Sequence, residues 1–499
     1  MGIPVEKTMI ESRAATNRDR LSPAKRALLE RRVRAGSDGR TPSQLIARRP
    51  NPRLAPLSFV QLWSWRLYQE TQESSFYSRL LHFKGSLDTA VLERSLNEMF
   101  RRHEALRTTF DVVDGEPFQI VWPPRHVSIP LVDLTELPEQ QQQRRVRSLA
   151  AQNKDRRINL AEGPLLKVTL FKLSEHEHIA LVIIYHIICD RWALGLIVKE
   201  FAALYNSFSN DLPTPLSELP IQYGDFAYWQ RETLTGQTYE SLRRYWEQQL
   251  SGSPLATPLL PDHRRPAIQS FRASAKTILF TKDLTERIKA LSQSEGVTIF
   301  IVLLSLFKCL IYRLTWHSDI VIQSPIANRT RSEFEQLIGS FVNTLLLRTS
   351  LAGNPPFREV IKRVRESAYG GYANQDMPFT RLREELRSDL SGTYLPVHTV
   401  VFSLHSAPLD SLSIPGLLLS SLSLAKDRAN YDLLLEATDD KQGLICSMKY
   451  NIDLFDEGTI IVMLKNLHAF TEAVINDPGR PILSLPLLSS QNADDVPLD

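Results

Sequence analysis

Cysteine is scarce in this 499-residue chain. The three cysteines, Cys189, Cys309 and Cys446, are far apart in sequence and show no CxxC spacing. This scarcity argues against a disulfide framework and against a cysteine-based zinc cluster, and it fits a reducing cytosol. We therefore expect a cytoplasmic protein that binds no metal.

The chain also lacks an excess of charge of either sign. It has 59 lysines and arginines against 56 aspartates and glutamates, a net charge of +3. This charge argues neither for nor against a nucleic-acid partner, and we expect none. The N-terminus has no apolar stretch of the kind found in secretory signals. The most apolar window, Val297–Leu314, contains the polar residues Ser305 and Lys308. Because it also lies mid-chain, it predicts a buried core helix rather than a membrane span.

The length predicts two domains, because one hydrophobic core seldom serves so long a chain. Residues 1–54 are basic and combine a predicted helix starting near Ser22 with a turn-rich linker. This leader is either a solvated extension or a docking element. The globular part divides into two stretches of similar type and length, which predict two α+β lobes at residues 55–235 and 236–490, before a tail at 491–499.

Hydrophobic periodicity predicts the local structure around the first lobe's most apolar segments. The segments FYSRLLHFKGSL and EHIALVIIYHII read as strands. The segments DTAVLERSLNEMFRRHEALR and RWALGLIVKEFAALYNSF have the 3–4 spacing of amphipathic helices. The second apolar strand is therefore expected to run directly into a helix.

A histidine and an aspartate stand at that junction. His186 follows the strand, and Asp190 follows four residues later. An imidazole with a pKa near neutrality can accept the proton of an attacking hydroxyl or amine. A core histidine followed by an aspartate that caps the helix beginning at Arg191 would give the same pattern. The pattern alone leaves catalysis and structure as alternatives.

Other segments, spread over about residues 55–490, match an ordered set of motifs. In chain order they are LSFVQLWSW, RRHEALRTTF, YHIICDRW, IQYGDFAYWQRE, DIVIQSPIANRTRSEFEQLIGSFVNTLLLR, NQDMPFTRL and YDLLLEA. Together they resemble the condensation domains of nonribosomal peptide synthetases. The motifs are specific as an ordered set, whereas the histidine and aspartate alone are not.

This resemblance implies a fold, an activity and partners. The fold would be two chloramphenicol-acetyltransferase-like lobes in a V-shaped pseudo-dimer with a central tunnel. The activity would be acyl transfer from a carrier-bound thioester to an amine or hydroxyl acceptor. Donor and acceptor carrier proteins would supply phosphopantetheine arms, so no cofactor would be bound by the chain itself. We expect a monomer, either free-standing or part of a larger synthetase.

The resemblance also implies roles for individual residues. His186 would be the catalytic residue in the middle of the tunnel. Asp190 would be structural and paired with an arginine, for which Arg329 is the candidate. Asn343, in the SFVNT segment, would support the site.

Three positions depart from the family pattern, of which Asn374, in place of a common histidine, is the mildest change. Tyr185 stands where the family has its first histidine, and Arg191 stands where it has glycine. A phenol can still pack and hydrogen-bond. A glycine after the aspartate either adopts a positive φ or leaves room for the acceptor, so Arg191 could plug that route, pair with Asp190 or bind a carboxylate on an unusual substrate.

These departures keep two other functions open. One is a condensation-like module that has lost turnover and recruits a partner enzyme or carrier protein. The other is a coenzyme A-dependent acyltransferase, which ranks last because the Asp-Phe-Gly-Trp-Gly element of that group is absent from the sequence. The acyl chain and the acceptor are not specified by any motif.

Overall fold

The computed structural model describes residues 46–71, 75–154, 159–253, 257, 259–266, 270, 272–388, 400–406, 413–414, 416–422 and 431–487. The helix predicted near Ser22 and the tail at 491–499 lie outside these residues. Within them the chain has an α+β architecture with two six-stranded sheets and one three-stranded sheet.

Strands and helices are numbered separately in chain order. The strands are β1 (Leu54–Pro56), β2 (Phe76–Gly85), β3 (Thr108–Val113), β4 (Glu116–Val121), β5 (Leu131–Asp133), β6 (Leu166–Ser174), β7 (Glu177–Tyr185), β8 (Ala273–Thr281), β9 (Asp319–Ile326), β10 (Asn343–Ser350), β11 (Val400–Ser406), β12 (Ser413–Ile414), β13 (Leu417–Leu422), β14 (Leu433–Asp440) and β15 (Gly443–Asn451). The helices are α1 (Phe59–Thr71), α2 (Thr89–Arg102), α3 (Glu139–Lys154), α4 (Arg191–Phe208), α5 (Tyr223–Thr233), α6 (Gly236–Leu250), α7 (Lys282–Ser294), α8 (Ile299–Thr315), α9 (Ser332–Glu335), α10 (Phe357–Ala373), α11 (Phe379–Ser388) and α12 (Glu457–Asn476).

The first six-stranded sheet has the order β12–β13–β2–β7–β6–β5. Its interior strand β7 pairs antiparallel with both β2 and β6. Most residues of β7 are buried, which explains its near-continuous apolar sequence. Helices α2 and α4 contribute side chains to the same core as β7.

Two strands of this sheet come from the second half of the chain. Leu417 and Leu422 of β13 pair with Gly85 and Leu80 of β2, and β12 pairs with β13. The chain therefore crosses from one half to the other, which the division near residue 235 did not anticipate. A strand's own pattern shows that it is a strand, but only tertiary contacts determine which sheet it joins.

The RRHEALRTTF segment anchors helix α4. Arg102 and His103, at the end of α2, both contact the Glu200 carboxylate on α4, with His103 Nε2 2.7 Å and Arg102 Nε 3.3 Å from Oε2. All three side chains are buried. Burial lowers the pKa of His103, although the neighbouring Glu200 opposes that change. This network holds α4, whose first residues belong to the site described below.

The second six-stranded sheet has the order β10–β9–β11–β14–β15–β8. Strand β11 runs parallel to β9 and β14, and the other neighbours are antiparallel. Helices α8, α10 and α12 share one core with it. Helix α12 is long and apolar enough to cross a membrane, but half of its most apolar window is buried inside the protein.

Helix α8 contains most of the apolar window noted in the sequence and is buried along nearly its whole length. Its Lys308 is fully buried. The Lys308 Nζ donates hydrogen bonds to the carbonyls of Ile320 and Leu347 and to Thr349 Oγ1, at 3.2, 2.5 and 3.0 Å. Burial lowers the pKa of Lys308 to about 7. The lysine is thus accommodated inside the core by three acceptors.

An aromatic cluster joins the two halves near the end of β7. Phe226 of α5 lies 4.4 Å from Phe341 and 5.0 Å from Phe334, measured between ring centroids. Tyr223 packs on Phe341 and donates a hydrogen bond to the Ser340 carbonyl. Phe334, Leu337, Ile338 and Phe341 of the second half therefore belong to the core of the first, and Ser340 between them faces His186.

Candidate functional site

His186 begins the 3₁₀ turn that directly follows β7. Its backbone N–H donates to the Ser75 carbonyl at 2.8 Å, so the turn is tied to the segment before β2. Burial lowers the pKa of the imidazole below 6.5, and the Asp190 carboxylate only partly offsets this. The His186 ring is consequently neutral at pH 7, the form that can accept a proton.

Tyr77, on the neighbouring strand β2, holds the imidazole. The Tyr77 Oη lies 3.0 Å from His186 Nε2, and the two rings stack with centroids 5.1 Å apart. Burial raises the pKa of Tyr77, so the phenol keeps its proton and can donate it to Nε2. We therefore assign Nε2 as the acceptor and Nδ1 as the protonated nitrogen, which faces Ser340 Oγ at 3.5 Å.

Asp190 connects three parts of the chain and does not hydrogen-bond to His186. Its Oδ1 accepts from the Ala193 N–H at 2.8 Å, as the N-cap of α4. Its Oδ2 accepts from the Phe341 N–H at 2.8 Å. Arg329 Nη2 lies 3.2 Å from Oδ1, which is the pairing that the family resemblance implied. The carboxylate, only 3% exposed, therefore acts as a structural crosslink.

Arg329 completes this crosslink. Its Nη1 donates to the carbonyls of Phe334 and Leu337, the latter at 2.9 Å. The guanidinium carbon also lies 4.1 Å from the centre of the Phe341 ring. Burial lowers the pKa of Arg329, while Asp190 opposes that change. The arginine shapes the loop that packs over His186.

The close approach of this loop requires a glycine. A Cβ atom added at Gly339 would lie 1.9 Å from a ring carbon of Tyr223, far inside van der Waals contact. The Gly339 carbonyl accepts a hydrogen bond from the Asp190 N–H at 3.3 Å. The second half of the chain thus reaches the backbone of the histidine–aspartate turn directly.

Arg191 is the first residue of α4 and has a negative φ. The position therefore needs no glycine for conformational reasons. Its side chain reaches the second half, where Nη1 lies 3.1 Å from Glu436 Oε1 on β14 and forms an ion pair with it. Glu436 is also contacted by His405 Nε2 at 2.8 Å and Lys449 Nζ at 2.9 Å. Burial would raise the pKa of Glu436, but these three partners hold it well below its usual range.

Two predicted site residues, Tyr185 and Asn343, make packing and backbone contacts. Tyr185 is 4% exposed and faces the core, where its ring packs 5.7 Å from that of Phe76. Asn343 is nearly buried, and its Nδ2 donates to the carbonyls of Gln375 and Met377 at 2.8 and 2.7 Å. Its Oδ1 accepts from the Phe379 N–H at 2.9 Å. Asn343 therefore ties β10 to the start of α11.

One cavity of about 720 Å³ brings these groups together. From the first half it is lined by residues that include Phe59, Trp63, Tyr77, His186, Arg191 and Trp192. From the second half the lining includes Phe341, Asn343, Phe379, Ser403, His405 and Glu436. The lining is mainly apolar with a few convergent polar groups, as is usual for small-molecule sites.

Sequence reasoning missed Tyr77, His405 and Glu436. The period-2 alternation of β2 could have placed Tyr77 on one face, but not opposite His186. Glu436 lies inside the YDLLLEA segment, where it alternates with buried Leu433 and Leu435. An acidic residue directly after three leucines of a strand is the signal that could have marked it. Among the described residues, no group of three or more histidine, cysteine or acidic side chains is arranged to hold a metal ion.

The fold and the cavity together indicate the class of protein. A two-lobed α+β chain that presents a histidine at a strand end to a cavity shared by both halves is typical of chloramphenicol-acetyltransferase-like proteins. The model of the condensation-domain family matches residues 51–496. The chain belongs to the condensation-domain family.

Individual relatives agree with this assignment. Chondramide synthase of Chondromyces crocatus is 38% identical over 449 residues, which are 89% of this chain but only 11% of that relative. Malpinin synthetase of Mortierella alpina is 36% identical over 436 residues, 87% of this chain and 6% of that relative. The chain therefore spans only a small part of the length of these two synthetases.

Solved structures support the fold. The X-domain from teicoplanin biosynthesis superposes with a TM-score of 0.79 at 26% identity, over 89% of this chain and all of that one, and it has also been solved in complex with OxyB. The first condensation domain of the calcium-dependent antibiotic synthetase, solved in complex with a substrate analogue, has a TM-score of 0.71 at 19% identity. That match covers 88% of this chain and all of that one. The expected two-lobed α+β fold is therefore confirmed.

Proposed function

We propose that this chain is a condensation enzyme of nonribosomal peptide biosynthesis. It joins an acyl or peptidyl group, held as a thioester on a donor carrier protein, to an amine or hydroxyl acceptor. The observation that supports this most directly is His186, a neutral imidazole bordering a cavity shared by the two halves. Phosphopantetheine arms on donor and acceptor carrier proteins would deliver the substrates.

The proposed chemistry uses few groups of the protein. The acceptor nucleophile attacks the thioester carbonyl carbon, a C–N or C–O bond forms, and the C–S bond breaks. The nucleophile's proton passes to His186 Nε2 and then to the departing pantetheine thiolate. Tyr77 orients the imidazole and yields its hydrogen bond at Nε2 to the acceptor as it binds.

The two acceptor types should depend differently on His186. An α-amine with a pKa of roughly 7.7–8.0 is already neutral to about 10–20% at pH 7, so alignment of the two substrates supplies much of the rate. A hydroxyl stays protonated and needs a base. General-base catalysis is worth roughly 10²–10⁴-fold.

We therefore predict that His186→Ala weakens amide formation moderately and lowers ester formation by about 10²–10⁴-fold. The assay is mass spectrometry of product from a loaded donor carrier and matched amine and hydroxyl acceptors. His126→Ala is the control, because His126 is exposed, pairs with Glu93 and lies outside the cavity lining. Equal small losses for both acceptors would contradict the assigned base role.

A second candidate function is recruitment of a partner enzyme without turnover. It is favoured by the Arg191–Glu436 ion pair across the cavity and by the likeness to an X-domain that was solved bound to OxyB. The same incubation distinguishes the candidates. Absence of product together with a stable complex with a tailoring enzyme in size-exclusion chromatography would favour recruitment, and turnover of acyl-coenzyme A would favour a free acyltransferase.

A further inference from the structure

Arg191 carries a distinctive charge within the cavity. Among the described residues that line it, Arg191 is the sole lysine or arginine. Its side chain is 46% exposed, whereas that of its partner Glu436 is 13% exposed. Of the three acidic residues in this lining, Asp190 is paired with Arg329 and Glu436 with Arg191, and the third is Asp376. The described part of the cavity wall therefore contains one accessible, permanently charged cation.

The ion pair of Arg191 with Glu436 can open at low cost. Glu436 Oε1 has a second partner in His405, and Oε2 is bound by Lys449. If Arg191 swings away, the largely buried carboxylate of Glu436 keeps both of these partners and is not left unpaired. An ion pair with one solvent-exposed partner contributes little stability by itself. Arg191 is thus the displaceable member of the cluster.

The Arg191 guanidinium also has hydrogen-bond donors that Glu436 does not use. Within the described chain, Glu436 is the only hydrogen-bond partner of the Arg191 guanidinium, and it uses Nη1 alone. A guanidinium offers five N–H donors in a planar fork that matches a carboxylate. The remaining donors are available to a ligand.

We propose that Arg191 is a specificity residue that binds a free carboxylate on the acyl or aminoacyl group of a substrate. This inference rests on the proposed function. Arg191 lies five residues from His186 and lines the same cavity, so it is near the reacting end of a substrate. A pantetheine phosphate is at the opposite end of the arm from the thioester, and a carboxylate near the reacting carbonyl therefore fits the position better.

The test compares acidic substrates with their uncharged isosteres. Aspartyl and asparaginyl acceptors form one arm, and succinyl and succinamoyl donors form the other, so the arms reveal which substrate carries the carboxylate. In whichever arm contains the substrate that Arg191 binds, the wild-type chain should have a higher kcat/KM for the acid than for its amide isostere. Arg191→Gln should lower kcat/KM for the acid by about ten- to hundredfold, the range of a charge-assisted hydrogen-bonded pair, and leave the amide substrate nearly unchanged.

Three further variants sharpen the test. Arg191→Lys should keep part of the preference, because the charge remains without the fork. Glu436→Gln should increase the preference, because the internal competitor for Arg191 is removed. Arg101→Gln is the matched control: its side chain is 43% exposed and also paired with glutamates, but it lies outside the cavity lining. This control variant should leave kcat/KM unchanged for both the acid and the amide substrate.

Binding provides a readout that does not depend on turnover. Non-hydrolysable pantetheine amides of the two substrate pairs are titrated against each variant by calorimetry, with the same selectivity expected. If no substrate is turned over but the acid analogue binds selectively, the proposed function fails and the carboxylate site stands. If neutral substrates react and bind as well as acids in both arms, or if Arg191→Gly accelerates all substrates equally, the carboxylate site is refuted and Arg191 is a plug.

Discussion

Replacing Asp190 by asparagine should destabilise the protein by about 3–5 kcal/mol, the cost of leaving one partner of a buried ion pair unpaired. The carboxylate accepts from Ala193, Phe341 and Arg329 within 3.2 Å. Asparagine has nearly the same shape as aspartate, but one of its oxygens is replaced by an NH2 group. That NH2 group would face an N–H donor that now hydrogen-bonds to the carboxylate. The Arg329 side chain, 2% exposed, would retain its charge without a counterion.

Urea unfolding followed by tryptophan fluorescence measures this loss. Asp88→Asn is a matched control, since Asp88 also caps a helix by accepting from two backbone N–H groups, at 2.9 and 3.0 Å. Asp88 is exposed and has no arginine partner among the described residues, so its replacement should cost about 1 kcal/mol or less.

A double-mutant cycle with Arg329→Met tests the pairing itself. The coupling energy between Asp190 and Arg329 should exceed about 1 kcal/mol, because the two side chains are in direct contact. If Asp190→Asn costs no more than Asp88→Asn while activity is abolished, the structural role is wrong. Asp190 would then act on His186 during catalysis.

Two further predictions concern pH. Activity should stay level from pH 7 down through pH 6.5 and fall only at a lower pH, because burial holds the pKa of His186 below its usual 6.5. Tyr77→Phe should shift this acid limb upward by up to about one pH unit, since the phenol's hydrogen bond favours the neutral imidazole; an unchanged pH–rate profile would contradict the assigned tautomer. Lys308 has a pKa of about 7 in the folded chain and of about 10.4 when unfolded, so the unfolded state binds more protons between these values and stability rises with pH. The free energy of unfolding, relative to Lys308→Met, should increase by about 2 kcal/mol from pH 7 to pH 9, and a difference that does not vary with pH would refute the buried-lysine assignment.

Much of the local structure could be read from the sequence. The strand predicted at EHIALVIIYHII and the helix beginning at Arg191 are present as β7 and α4. They were predictable because hydrophobic periodicity and helix capping depend on residues that are close together in the sequence. The N-cap role of Asp190 is local in the same sense. The apolar window at 297–314 is a core helix for an equally simple reason, since its length and composition suit burial.

Contacts between distant segments could not be read in this way. Nothing in the alternation of β2 indicates that Tyr77 meets His186, because the register of two strands depends on the whole sheet. The crossing of β13 into the first sheet is likewise invisible in its own six residues. The pairing of Asp190 with Arg329 was expected only through the family resemblance, although the two are 139 residues apart.

The amino-acid sequence alone indicates the family, the two-lobed α+β fold and the strand end at which His186 stands. It does so because each motif and each hydrophobic period lies within one short stretch of the chain. The same sequence left the meaning of Arg191 undecided among a plug, a partner of Asp190 and a carboxylate ligand. The tertiary structure excluded the second of these by directing the side chain to Glu436, 245 residues further along. That decision belongs to the tertiary structure because packing of the two halves, rather than any local pattern, brings α4 and β14 to the same cavity.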